Sequence, residues 1–269
     1  MKELVRGNLL IIGGAEDKDG KCTILKYLAD LTGGPAARLT ILTTATESPE
    51  STGNEYMSVF SRLGITNINI LNINSRDDAN NENNAGLTME STGIFFTGGD
   101  QLRITSILGG TRFFTSLHEA YKNGTVIAGT SAGASAMSGT MIIEGNDNDP
   151  ARKCTLKMAP GLGLLEGALI DQHFHQRGRI GRLLCGVAEN PHILGIGLDE
   201  DTAVRVYPDA HIEVIGSNSV TIIDGRNIKS SNVSELKPDE NLAIANVTLH
   251  VLPAGYGFDM ADREVLRLH

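Results

Sequence analysis

The residues Gly129-Thr130-Ser131-Ala132-Gly133 read Gly-x-Ser-x-Gly, follow the apolar, β-prone run Thr125–Ala128, and precede the small residues Ala134, Ser135 and Ala136. Strand, tight turn and helix in that order form a nucleophile elbow. The flanking glycines remove Cβ atoms where the turn needs unusual φ/ψ and close backbone approach. The Ser131 hydroxyl is then held above the sheet edge, at a helix N-terminus whose free N–H groups can stabilise an oxyanion. Such a serine needs a base to take its proton and a third group to orient that base. His173 and His175 stand out among the histidines, in Asp171-Gln172-His173-Phe174-His175-Gln176-Arg177-Gly178-Arg179. So many polar groups at the end of an apolar strand break the pattern of a buried segment, which marks functional sites. A buried run, Gly195–Leu198, ends in the carboxylates Asp199, Glu200 and Asp201. Open α/β sheets bind ligands at the carboxyl ends of their strands, which puts the elbow, His173 and Glu200 on one edge. Ala132 supplies one oxyanion donor, and the turn Gly98-Gly99-Asp100 is the candidate for a second.

Other chemistries compete for these residues. If Ile170–His175 is a strand, Asp171, His173 and His175 share a face and with Glu200 form a zinc-type donor set. A structural histidine, a solvated acidic loop and an ordinary glycine turn remain alternatives at each position. Arg177, Arg179 and Arg182 are spaced too irregularly for a simple exposed helix face. Beside the nucleophile they suit a carboxylate-rich substrate; the alternative is surface arginines balancing nearby acids. Gly13-Gly14-Ala15-Glu16-Asp17 has the look of a phosphate turn, but two acids stand where a phosphate would sit, which excludes a nucleotide.

Strands and helices must alternate to position these groups. Asn8–Ile12, Arg38–Thr44, Asn67–Leu71, Gly93–Thr97 and Thr125–Gly129 read as buried parallel strands. Helices fall at Cys22–Leu31, Tyr56–Leu63, Leu102–Leu108 with Asp100 as N-cap, and Thr115–Asn123, while Ser75–Ala85 is a polar loop or helix start. That alternation predicts a doubly wound, mostly parallel sheet. The second half reads as strands Ile170–His175 and Ile193–Leu198 around a helix at Ile180–Ala188. Short β-runs follow at Ala203–Tyr207, Ile212–Ile215, Val220–Ile223 and Leu242–Pro253. They predict a β-rich, antiparallel C-terminal extension that closes the sheet edge or covers one face. No linker or repeat divides the chain, so residues 1–269 are expected to form a single domain.

The formal net charge of −9 and the lack of a Lys/Arg block argue against a nucleic-acid partner. No apolar run reaches membrane-span length, and Met1–Arg6 carries no signal-type apolar region. Cys22, Cys154 and Cys185 are odd in number and scattered, as in a reducing compartment, and read as buried small hydrophobes. A cytoplasmic protein is expected, and the sequons at Asn232 and Asn246 are then incidental.

Taken together, these motifs resemble the cyanophycinases, serine peptidases of the peptidase E-like group with the class I glutamine-amidotransferase-like (flavodoxin-like) fold. The resemblance runs nearly end to end. It is carried by Ile12–Asp17, Leu42–Thr46, Phe96–Gln101, Gly129–Ala134, Asp171–Phe174 with the three arginines, and Gly197–Glu200. It implies Ser131 as nucleophile, His173 as base and Glu200 as orienting acid, with substrate contacts from Gln101, Asp171, Gln172, Arg177, Arg179 and Arg182. It implies no cofactor or metal, a homodimer, and as substrate cyanophycin, a poly-aspartate with arginine joined to each β-carboxyl, cut to β-aspartyl-arginine. The family's Asp-Glu-Asn run is Asp199-Glu200-Asp201 here, an added negative charge. A dipeptidase cleaving after N-terminal aspartate, as in peptidase E, is the nearest rival. A glutamine amidotransferase normally carries cysteine at the elbow, and a catalytically silent polymer binder is the reading from a different class.

Overall fold

The computed structural model describes residues 7–152 and 156–268; Cys154 lies outside them. The first half alternates as its sequence predicts. Strands β1 (Leu9–Ile12), β2 (Arg38–Leu42), β3 (Asn67–Leu71), β4 (Gly93–Phe96) and β5 (Val126–Thr130) lie parallel in the order β1-β5-β4-β2-β3. Their side chains feed two cores. Leu9 and Ile11 of β1 join one with Ile94, Phe96, Phe113 and Leu117, while Leu10 and Ile12 join the other with Leu25, Leu28, Phe60 and Phe95. A strand buried on both faces must be apolar throughout, which is why Leu-Leu-Ile-Ile shows no alternation.

Helices Thr23–Leu31 and Pro49–Arg62 cover one face, and Gln101–Leu108 and Arg112–Lys122 the other. The second is longer than its apolar period suggests, because Pro49 starts it at the first turn. Asp100 caps the third, its carboxylate accepting from the N–H groups of Leu102 and Arg103. The polar segment after Asn74 holds two short helices, Arg76–Asn80 and Glu82–Glu90, the first closed by a Ser75/Asp78 capping box.

The second half departs from the sequence reading. An antiparallel pair unforeseen in it, β6 (Thr140–Gly145) and β7 (Leu156–Pro160), comes first. Strands β8 (Ala168–Asp171) and β9 (Leu194–Leu198) then pair with each other rather than joining the central sheet. The chain returns through β10 (Thr202–Val206), antiparallel to β1, and β11 (His211–Gly216), then leaves again as β12 (Ser219–Asp224), antiparallel to β9. After the small strands β13 (Ser230–Ser231) and β14 (Ile244–Ala245), β15 (Thr248–Pro253) completes a second sheet, β15-β12-β9-β8. Finally β16 (Tyr256–Asp259) and β17 (Glu264–Arg267) extend the central sheet to nine strands in the order β17-β16-β11-β10-β1-β5-β4-β2-β3. The central sheet is therefore mixed, with its parallel strands forming the half that carries the elbow.

Two expected strands end early for the same reason. Ile170–His175 stops at Asp171 because His173 takes φ +47°, and Leu242–Pro253 is broken at Asn246, with φ +65°. Left-handed backbone cannot continue a strand. The second sheet packs Ile170, Ile196, Leu198 and Ile222 into the first core, and its outer face takes Leu183 and Val187 of the helix Ile180–Glu189. Cys22 and Cys185 are buried free thiols, and burial pushes the Cys185 thiol up to about 11. Among the described residues no helix is long and apolar enough to cross a membrane.

Candidate active site

The elbow, the base and the acid meet at Gly13-Gly14, the turn whose sequence suggests only a phosphate site and excludes it. The register pairs Ile12 of β1 with Thr130 of β5 on one side and with Ala203 of β10 on the other. Ser131 and the Glu200–Thr202 link therefore flank the end of β1. Four backbone hydrogen bonds fasten them: Ser131 N–H to Ile12 O (3.0 Å), His173 N–H to Gly13 O (2.8 Å), Asp201 N–H to Gly14 O (2.9 Å) and Gly13 N–H to Thr202 O (2.8 Å). The shared edge expected from one sheet is thus made by the carboxyl ends of two sheets abutting.

The side chains line up in hydrogen-bond series. Ser131 Oγ is 3.0 Å from His173 Nε2, and His173 Nδ1 is 2.6 Å from Glu200 Oε1. The imidazole is 12% exposed and the carboxylate 36%. With a carboxylate on Nδ1, the neutral ring keeps its proton there and offers the Nε2 lone pair to the serine. Ser131 sits at φ 54°, ψ −112°, and His173 and Asp201 also have positive φ. Strain of this kind, about 1–3 kcal/mol per residue, gathers at functional sites and is held by the surrounding structure. Gly98 and Gly99 wrap the serine: a Cβ on Gly98 would lie 3.4 Å from Ser131 Cβ, and Gly99, at φ +142°, leaves no room for one against Ala45 O. Ala132, buried, opens the helix after Ser131.

Gly14 is the floor under the imidazole. A Cβ there would stand 2.4 Å from His173 Cε1 and 2.5 Å from Nε2, at φ +98°. Gly14→Ala is expected to push the ring off Ser131 and lower kcat/KM by about 10²-fold, the usual cost of an ångström-scale misplacement. Gly64→Ala is the control, because Gly64 has a similar φ of +96° with nothing within 4 Å. Steady-state kinetics on both variants separate ring displacement from backbone strain, and equal losses would refute the steric account.

Behind the serine lies Glu16, 4% exposed. Its Oε2 accepts from Thr130 Oγ1 at 2.6 Å and its Oε1 from Tyr56 OH at 2.5 Å. Burial and the Glu16 charge push the Tyr56 hydroxyl far above its ordinary pKa, so it stays a donor. The acid that argued against a phosphate is thus tied to the residue before the nucleophile. The signal that could have located it is an acid straight after a glycine turn that closes a buried parallel strand.

The remaining candidate residues divide. Gln172 stands at the serine, its Oε1 3.4 Å from Ser131 Oγ, and Gln101 donates from Nε2 to Ile142 O at 2.7 Å. Arg177 is exposed. Asp171, Arg179 and Arg182 are instead turned inward and pair with one another. Asp171 is 1% exposed; Arg182 grips both of its carboxylate oxygens, with Nε–Oδ2 at 2.7 Å, and Arg179 reaches Gln172 O at 2.7 Å. Asp147 joins from the β6–β7 side, 2.7 Å from Arg179 Nε. Its partial burial acts to raise its pKa, but the hydrogen bond and charge of Arg179, with Arg182 and Arg177, outweigh that and hold it low. Burial draws the Arg179 guanidinium below its ordinary value, against the pull of Asp147 and Asp171. The zinc-type set does not converge, because Asp171 faces Arg182, His173 faces Ser131 and Glu200, and His175 is exposed.

Asp171→Asn would leave two buried guanidiniums short of a counter-charge. Breaking a buried pair from one side costs about 3–5 kcal/mol. Urea unfolding should show a loss of that size, and a change under 1 kcal/mol would mean the pair contributes little to the fold.

The sequence profile of peptidase family S51 matches residues 9–214, from β1 into β11. The chain belongs to peptidase family S51. The chain is also similar to cyanophycinases from Geminocystis herdmanii, 37% identical over 95% of this chain and 94% of that one, and from Trichormus variabilis, 36% identical over 96% and 87%. The fold is also similar to a solved peptidase from an acI-B1 actinobacterium, with a TM-score of 0.69, 20% identity, and coverage of 99% of this chain and 98% of that one. As an S51 peptidase the protein is a hydrolase of peptide bonds.

Proposed function

We propose that this S51 peptidase hydrolyses cyanophycin as a serine-type exopeptidase, releasing β-aspartyl-arginine through an acyl-enzyme on Ser131. The hydrogen-bond series Ser131–His173–Glu200 at the meeting of two sheet ends carries this reading, and near full-length similarity to cyanophycinases supports the substrate. His173 Nε2 takes the hydroxyl proton as Ser131 Oγ attacks an aspartyl carbonyl carbon. The oxyanion is held by the N–H groups of Ala132 and Gly99. As the C–N bond breaks, the imidazolium returns the proton to the leaving amine. Water, deprotonated by the same imidazole, then cleaves the ester and frees Ser131.

Gln101, Gln172 and Arg177 are the contacts we assign to the substrate's polar backbone and carboxylates. Asp171, Arg179 and Arg182 act with them from beneath, through the buried ion-pair frame. In this reading residues 1–269 work as one domain, a class I glutamine-amidotransferase-like core closed by a β-rich C-terminal extension, in a cytoplasmic homodimer. Light scattering on gel-filtered protein tests the dimer. Purified polymer incubated with the protein and followed by mass spectrometry tests the function: β-aspartyl-arginine is the expected product. Hydrolysis of an Asp-X dipeptide with the polymer left intact would replace this reading with the peptidase E-like one.

A further inference from the structure

We propose that a cavity beside the base-bearing turn is a second substrate subsite, holding the arginyl side arm of a polymer unit beyond the two that flank the scissile bond. This rests on the substrate assigned above. The cavity has a volume of about 560 Å³, within the roughly 300–1,000 Å³ typical of small-molecule sites. Its one wall is the turn that follows His173 together with the start of the helix Ile180–Glu189, including His175, Arg179 and Ile180. The second sheet lines it as well, through Thr221 of β12 and Val251 and Pro253 of the edge strand β15. The floor is Asp199 and the turn Ser217–Ser219.

The floor favours a cation. Asp199 is 6% exposed, and its carboxylate accepts from the His175 N–H (3.0 Å), the Ser219 N–H (3.3 Å) and Ser219 Oγ (3.0 Å). All three donors are neutral, so they solvate the charge without cancelling it. A carboxylate has about four acceptor positions, which leaves one for an incoming donor. Beneath Ser217 lies a second carboxylate, Asp201, which accepts from Ser217 Oγ and from the Asp17 N–H (2.9 Å) and again meets neutral groups. The basic residue at the wall, Arg179, is already matched by Asp147 and Asp171. Ile180 and Val251 are exposed apolar side chains, 46% and 55%; they suit the methylenes of a side arm whose charged head reaches the acids.

The cavity is joined to the reaction centre by structure as well as by position. Asn218 Nδ2 donates to Glu200 O at 2.8 Å, so the floor braces the backbone of the orienting acid. The wall is the same turn that carries His173. A polymer seated at Ser131 can therefore place a neighbouring arm here without leaving the surface.

Chain-length dependence tests this. A two-unit substrate spans only the scissile bond, whereas a six-unit substrate can also fill the cavity. Wild-type protein is expected to favour the longer substrate in kcat/KM by about tenfold, the worth of one well-made charge contact. Val251→Arg, a change at an exposed edge-strand position, should remove most of that preference by raising KM for the six-unit substrate, with the two-unit kinetics unchanged. Val251→Glu should keep the preference. Equal kcat/KM on both lengths in the wild type, or a Val251→Arg effect that is absent or the same on both, overturns the subsite. If the wild type cuts neither length, the proposed function itself fails, which is a separate and recognisable result.

Discussion

Ser131→Gly is expected to abolish hydrolysis while making the protein harder to unfold. Losing a nucleophile of this kind costs about 10⁴–10⁶ in kcat, since what survives is only binding and oxyanion stabilisation. The stability gain has a separate cause. Ser131 is fixed at φ 54°, ψ −112° by the bond from its N–H to Ile12 O and by the Gly98 turn against its Cβ. A Cβ in that backbone region stores about 1–3 kcal/mol, and glycine releases it at a cost of about 0.5–1 kcal/mol in extra unfolded-state freedom. A net gain of about 1 kcal/mol corresponds to a rise in Tm of about 2–4 °C. Ser131→Ala separates the two effects, because it loses the hydroxyl but keeps the strained Cβ. It should be as inactive as the glycine variant with an unchanged Tm. Activity within tenfold of wild type in either variant would dismiss Ser131 as nucleophile. A glycine variant that melts lower would show that the elbow is not strained.

The elbow and the parallel strands were readable from the sequence because their signals are local. Leu9–Ile12 is apolar without a break, Asp100 stands one residue before a helix, and Gly129 and Gly133 bracket a serine. What was not readable depends on partners far along the chain. Asp171 and Arg182 both read as substrate contacts until β8 is placed in a second sheet, where the helix behind it drops one onto the other. Periodicity cannot tell whether a short apolar run adds to the first sheet or begins another, so the expected strands Ile170–His175 and Ile193–Leu198 read as ending on the same edge as β5, whereas β8 and β9 form a second sheet. Gly14 was legible as a turn, but its purpose is steric and appears only when an imidazole is laid on it from residue 173. Glu16 carried a signal that was read with the wrong emphasis. An acid where a phosphate would sit does exclude a phosphate, and it also marks a buried carboxylate that must find donors, here Thr130 and Tyr56.

Glu200→Gln should lower kcat by about 10³–10⁴-fold with KM little changed. The carboxylate accepts the Nδ1 proton of His173 at 2.6 Å and so leaves Nε2 bare toward Ser131. An amide turned with its NH₂ toward Nδ1 donates there, which forces the ring proton onto Nε2 and blocks acceptance from the serine. Turned the other way, it preserves the tautomer but supplies no negative charge to the imidazolium that forms as the hydroxyl proton moves. Either arrangement raises the barrier, and a 10⁴-fold loss corresponds to about 5.5 kcal/mol. The fold should barely notice, because Glu200 is 36% exposed and its backbone is held independently, N–H to Gln176 Oε1 and carbonyl by Asn218 Nδ2. An unchanged Tm beside a large kcat loss is therefore the signature of a group that orients the base. The flanking acids supply the control. Asp201 meets Ser217 and the Asp17 N–H rather than the imidazole, so Asp201→Asn removes the same charge one residue away and should cost less than tenfold. If the two substitutions prove equally damaging, the effect is one of general electrostatics and the specific pairing of His173 with Glu200 is not what sets the rate.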